Sequence, residues 1–209
     1  MGAFMDLLDL FSTPILVQRL PDMAHLNVNC LSWINARRAA DPEGIHRANA
    51  GGGWHSTPDL ALRRTEPCGL LLDHLVAASR EALGAHYQRI TPEMPLLELG
   101  VQAWAMVLEK GGYVVPHDHV GGHWSGVYYV DSGDADSGGM LSFLSPVTGA
   151  HNAPGLPPVP TDFTLTPETG MLVLFPAWLK HCVHPYQGAR PRVAVSFNLS
   201  LRTRPRPAG

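Results

Sequence analysis

The second half of the chain most restricts what it can become. From Val101 onward, β-prone runs at residues 101–108, 124–130, 140–144, 171–175 and 192–201 are separated by stretches rich in Gly, Pro, Asp and Ser, without helical periodicity. Repeated short strands with such punctuation favour a sandwich or barrel over a parallel α/β sheet. Proline cannot donate to a strand ladder, so the proline-rich segment 150–160 reads as a loop. The first hundred residues differ in character, with one strand at 14–19 and helical patterns at 24–38 and 70–88. In the later helix, Leu71, Leu75, Ala78, Ala82 and Ala85 recur at threes and fours, and that face is expected to pack on the sheet. Between the helices, the segment 41–58 carries Gly51, Gly52 and Gly53 ahead of Trp54 and reads as a surface connector. With 209 residues, 45% of them hydrophobic, the chain has the size of one all-β domain with added helices. Residues 1–209 are therefore read as a single domain. It has a mixed helical part (1–100), a β core (101–201) and a basic, proline-rich tail (202–209) expected to fray.

Charge excludes some partners. Eighteen acidic against fifteen basic side chains leave a formal charge of −3, which offers no broad cationic surface for a nucleic acid backbone. Cys30, Cys68 and Cys182 are odd in number and far apart, which suits reduced thiols and hence a cytoplasmic protein. The N-terminal MGAFMDLLDLF lacks a basic start and carries Asp6 and Asp9, so it does not resemble an export signal. Asp6 also stands where an N-myristoylation motif needs Ser or Thr, and no apolar run approaches the ~20 residues of a membrane span. A symmetric homodimer is the default assembly for such a chain.

The histidines carry the chemistry. In Pro116-His117-Asp118-His119, an extended backbone would turn His117 and His119 to one face and Asp118 to the other. Two neutral imidazoles can then grip one cation, and a third ligand is needed for a stable site. His181, in FPAWLKHCVHPY, is the candidate: a pair on one strand and a distant third ligand form a facial triad that leaves the opposite metal face open. His184 is a competitor, placed by alternation on the other face of a strand. His123 is another, its direction hidden by the two glycines before it. Asp118 would ligate only across a bulge.

Eleven residues beyond His181, Arg192 opens the alternating strand RVAVSFNLSL. Arg192, Ala194, Ser196 and Asn198 share one face; Val193, Val195, Phe197 and Leu199 share the other. A guanidinium among small and polar groups offers a two-pronged grip on a carboxylate.

These residues resemble the 2-oxoglutarate and iron(II)-dependent oxygenases. HDHVGGHWSGVYYV together with GMLVLFPAWLKHCVHPYQGARPRVAVSFNL is similar to a group of short bacterial members, and LFSTPILVQ and GGWHSTPDL extend the likeness more loosely toward the N-terminus. The resemblance implies a double-stranded β-helix (a jelly roll, cupin-like) with helices flanking one side. It implies Fe(II) at His117, His119 and His181, and a 2-oxoglutarate carboxylate at Arg192. It further implies consumption of molecular oxygen with release of succinate and carbon dioxide, and hydroxylation of a small-molecule or peptide substrate. Ser125, Ser196 and either Tyr128 or Tyr129 are candidates to line the cosubstrate pocket, with Tyr129 favoured because it shares a face with Ser125 and Val127. Trp124, Phe143, Trp178 and Tyr186 are candidates to wall the substrate space. The chain departs from most of the superfamily in carrying His-x-His where His-x-Asp or His-x-Glu is usual, which leaves the metal one unit more positive. Three-histidine sites also serve dioxygenases that need no 2-oxoglutarate, and a non-catalytic ligand-binding sandwich with structural zinc is the reading from another class.

Overall fold

The computed structural model describes residues 12–47, 49–91, 93, 96–147 and 160–204. Strand β1 (Leu16–Arg19) leads into helix α1 (Ala24–Ala40), strand β2 (Ala50–His55), a short 3-10 turn (Leu60–Leu62) and helix α2 (Pro67–Gln88). The remaining strands are β3 (Leu96–His117), β4 (Trp124–Asp131), β5 (Leu141–Leu144), β6 (Asp162–Leu165), β7 (Met171–Pro176), β8 (His181–Val183) and β9 (Arg192–Arg204). All pair antiparallel in one sheet ordered β1-β7-β4-β9-β3-β8-β5-β6, with β2 added on β3.

The sheet curls on itself. Phe143 on β5 meets Phe175 on β7 at 4.9 Å between ring centroids, although several strands lie between them in the sheet order. Alternation along the strands then creates two cores. The inner one lies within the curl and includes Met106, Val127, Tyr129, Phe143, Phe175 and Ala194. The outer one joins Val193, Val195, Phe197 and Leu199 of β9, and Tyr128 of β4, to the helices through Ile34, Leu71 and Leu75. This is the expected jelly roll with helices on one side.

α2 starts with Pro67 at its first turn, where a missing N–H costs nothing. Its buried face runs through Leu71, Leu72, Leu75, Ser79 and Leu83, while Ala78 and Ala82 pack at the margin and Ala85 is exposed. The apolar stripe is thus rotated slightly from the expected one. No helix among the described residues is long and apolar enough to cross a membrane.

Four expectations need correction. The segment 41–58 is not all connector: β2 pairs with β3 through Gly53–Leu108, Trp54–Val107 and His55–Met106, so a ladder holds residues that have little strand propensity of their own. The strand expected at 101–108 does not stop there; β3 runs on through Gly111 and Gly112 to His117, and at Gly112 the β2 and β3 backbones touch. A Cβ there would lie 2.5 Å from the Gly52 carbonyl oxygen, and Gly52 (φ +62°) and Gly111 (φ +84°) adopt left-handed geometry. The tail is paired as far as Arg204, which opposes Leu96 and bonds Glu98 at 2.6 Å. Finally, Cys30 and Cys68 form a disulfide, because the docking of α1 on α2 brings together positions that sequence separation kept apart. Cys182 is the free thiol, and the thiol count no longer argues for a reducing compartment. The expectations for the N-terminal undecapeptide, for most of the 150–160 loop and for 205–209 lie outside the described residues.

Candidate metal centre

His117 ends β3 and His181 begins β8, and the two are register partners in the antiparallel ladder. His119 lies just past the strand, held by its N–H donating to the Ala177 carbonyl at 2.9 Å. The imidazoles converge: centroids are 4.3 Å apart for His117 and His181, 5.0 Å for His119 and His181, and 5.1 Å for His117 and His119. One nitrogen from each lies within 4.8 Å of the others, and the Nε2 atoms of His119 and His181 approach to 3.3 Å. His117 Nδ1 donates to the Val115 carbonyl and His181 Nδ1 to the Leu179 carbonyl, each at 2.9 Å. Those bonds fix the tautomer and leave both Nε2 lone pairs aimed inward, as a cation requires.

Burial keeps the rings neutral. Desolvation, reinforced by the neighbouring imidazoles, lowers His181 to about 3; burial and His117 lower His119 to about 4; burial also depresses His117. Neutral imidazoles whose ring nitrogens already converge are ligand-ready.

The triad opens on a cavity of about 110 Å³. At its closed end sits Arg192, 1% exposed, with its Cζ 4.7 Å from the Tyr129 ring centroid. Arg192 Nε and Nη1 and the Tyr129 hydroxyl are buried without a hydrogen-bond partner. A buried guanidinium with idle donors is costly unless an anion meets it, so the cavity fits a carboxylate at this end. Ser196 and Val127 also line it, and Tyr128 instead donates to Asn27 Oδ1 on the helix side at 2.9 Å.

Other sequence candidates fall elsewhere. Ser125 faces the same side as Tyr129 but donates to Asn198 Oδ1 at 2.9 Å, outside the cavity. Trp124 points to the helices, its Nε1 donating to the Tyr87 hydroxyl at 2.9 Å. Phe143 packs behind His181, 6.2 Å between centroids. Trp178 is 56% exposed. Tyr186 is buried behind Arg192 with Gly139 between them, its hydroxyl accepting the Asp134 N–H and donating to the Arg190 carbonyl. None of these aromatics lines the triad's cavity. His123 is exposed and accepts the Leu201 N–H at 3.1 Å, while His184 and Asp118 stand apart from the converging nitrogens.

Sequence reasoning missed one wall. Arg47, Asn49 and His55, on and before β2, line the cavity with Trp104 and Met106 of β3. Burial, then Arg47 and His117, push His55 down to about 4. Alternation from Trp104 to Met106 was a usable signal; the β2 side had none, because its direction depends on pairing with β3.

Residues 102–198 match a family model described as "Putative 2OG-Fe(II) oxygenase". Among curated proteins, sequence comparison finds no significant match. In fold, the chain is similar to a prolyl-4-hydroxylase from Pseudomonas putida, with 20% identity, a TM-score of 0.57, and 92% of this chain and 94% of that one covered. It is also similar to a prolyl hydroxylase from Trichoplax adhaerens in complex with a hypoxia inducible factor peptide fragment (12% identity, TM-score 0.62, 88% and 82% covered). A third likeness is to HygX from Streptomyces hygroscopicus with nickel, 2-oxoglutarate and hygromycin B bound (13% identity, TM-score 0.53, 89% and 83% covered).

Proposed function

We propose, from the match of residues 102–198 to the 2OG-Fe(II) oxygenase family model, that the chain hydroxylates a substrate carbon with Fe(II) held by His117, His119 and His181 and 2-oxoglutarate anchored by Arg192. When bound, iron and cosubstrate supply the oxidising power, with one oxygen atom of O2 reaching the substrate as hydroxyl, the other leaving in succinate, and carbon dioxide released.

The protein's own share is positioning and exclusion of water. Two backbone carbonyls orient His117 and His181, and no fourth His, Cys, Asp or Glu joins the triad among the described residues. Arg192 and the Tyr129 hydroxyl offer the distal carboxylate three buried donors that have no other partner. Val127, Phe175 and Val183 add apolar wall to the cavity, and a drier cavity strengthens charge pairing within it. The observation that carries the reading is this pairing of an open triad with an idle buried arginine in one cavity.

An anaerobic titration tests it. Fe(II) followed by 2-oxoglutarate should raise the charge-transfer absorption of a chelated keto acid. Arg192→Ala should retain iron and weaken 2-oxoglutarate binding by a factor on the order of 100 or more. Iron binding with no such band and no succinate release overturns the assignment. That outcome would favour a three-histidine dioxygenase independent of 2-oxoglutarate, a reading supported by the all-imidazole donor set.

A further inference from the structure

The cavity has two cationic ends. Arg192 closes one; Arg47, half-buried, stands at the other with its Cζ 5.6 Å from the Trp104 ring centroid. Trp104 in turn lies 6.0 Å from the His119 ring, so Arg47 belongs to the metal side. Trp104 is the register partner of Ser196, and Arg192 lies four residues earlier on β9. At the rise of a strand this separates the two levels by about 13 Å, so Arg192 and Arg47 stand at different levels of the cavity.

Arg47 makes no ion pair or side-chain hydrogen bond among the described residues. Among the described residues the cavity lining contains no carboxylate, only neutral imidazoles, an amide, hydroxyls, apolar groups and the two guanidiniums. His119 contributes to this, since it supplies a neutral ligand where most of the superfamily has an acidic one. With doubly charged Fe(II) offset by doubly charged 2-oxoglutarate, the loaded cavity keeps the positive charge of both guanidiniums. A poorly solvated space with that excess selects an anion.

We propose that Arg47 is a specificity-determining residue that binds a carboxylate of the substrate, so that the substrate is a small acid or an acidic side chain presented beside His119. This rests on the oxygenase reading above. Asn49, on the same wall, offers an amide for a second contact, and its carbonyl accepts the Val115 N–H at 2.9 Å. That bond ties the recognition segment to the strand that bears His117.

The test measures binding by proton relaxation of probe molecules on protein loaded with Mn(II) and saturating 2-oxoglutarate. One probe pair is 4-methylpentanoate and 4-methylpentanamide; a second is the methylamide of N-acetyl-aspartate and that of N-acetyl-asparagine. The first pair reports a free acid and the second an acidic side chain. In at least one pair the acid should bind roughly tenfold tighter than its amide. Arg47→Ala should abolish that preference while 2-oxoglutarate affinity stays unchanged, and Arg47→Lys should restore most of it. Equal binding of acid and amide in both pairs overturns the inference, as does a preference that survives Arg47→Ala. Loss of 2-oxoglutarate binding in Arg47→Ala also overturns it, by making Arg47 a cosubstrate ligand. If wild-type metal-loaded protein itself fails to bind 2-oxoglutarate, it is the underlying oxygenase reading that falls.

Discussion

Three imidazoles behave here as one unit, because removing any of them leaves the others too few to hold a cation. His117→Ala, His119→Ala and His181→Ala are each expected to abolish bound iron in elemental analysis of the purified protein, whereas His123→Ala and His184→Ala should leave it intact. Iron retained by any of the first three variants would mean that a different donor completes the shell. Strand alternation separated Tyr129 from Tyr128 and Arg192 from Val193, whereas the triad itself converges by other means: His119 lies just past the end of β3, held at Ala177, and His181 meets His117 by register across β3 and β8. Applied to Trp124, alternation would also have assigned that ring to the helix side, since it shares the face of Tyr128. What alternation could not supply was His55 or Arg47, whose orientation comes from a neighbouring strand rather than from their own pattern.

At the scale of elements, β3 organises the molecule. Residues 96–108 pair with β9, β2 pairs on both sides of the glycines at 106–108 and 113–114, and β8 joins beyond them, so one strand links the helix-backed wall to His117. The β-prone run was read only as far as Leu108, and glycine weakens a strand interior, yet tertiary pairing carries β3 through Gly111 and Gly112 to His117. The disulfide between α1 and α2 was invisible for a similar reason, since nothing in the spacing of Cys30 and Cys68 reveals how two helices dock. Closing a loop of 38 residues restricts the unfolded chain by about 4 kcal/mol in the chain-entropy view. Cys30→Ser with Cys68→Ser should therefore lower the melting temperature by about 10 °C or more, without altering iron content. An unchanged melt, paired with two titratable thiols in the native wild-type protein, would argue that the bridge does not form.

Across the whole molecule, the neutral histidines set an acid limit. His181, His119 and His55 sit at about 3, 4 and 4 in the folded chain, against about 6.5 when unfolded. The unfolded state therefore binds more protons than the folded state below pH 6.5, so stability rises with pH in that window. The contribution is fully present above about 6.5 and is lost as the pH falls toward 4. Together these groups forfeit several kcal/mol there, a large share of the roughly 5–15 kcal/mol that holds a domain together. Metal-free protein should show a melting temperature that is flat near pH 7 to 8 and falls steeply from about pH 6, followed by circular dichroism. A flat profile down to pH 4 would mean that the rings are solvated rather than buried.

The contact between Gly52 and Gly112 has a further consequence. Two backbones that touch with no side chain between them act as a rivet, fastening the β2 wall to the strand that carries His117. Nothing can be added at the rivet without prising that wall outward, whereas Arg47 and Asn49 stand beside it on ordinary backbone. Relatives that share the rivet could retune which molecule they accept by exchanging single side chains on either flank, leaving the frame and the chemistry beneath it untouched.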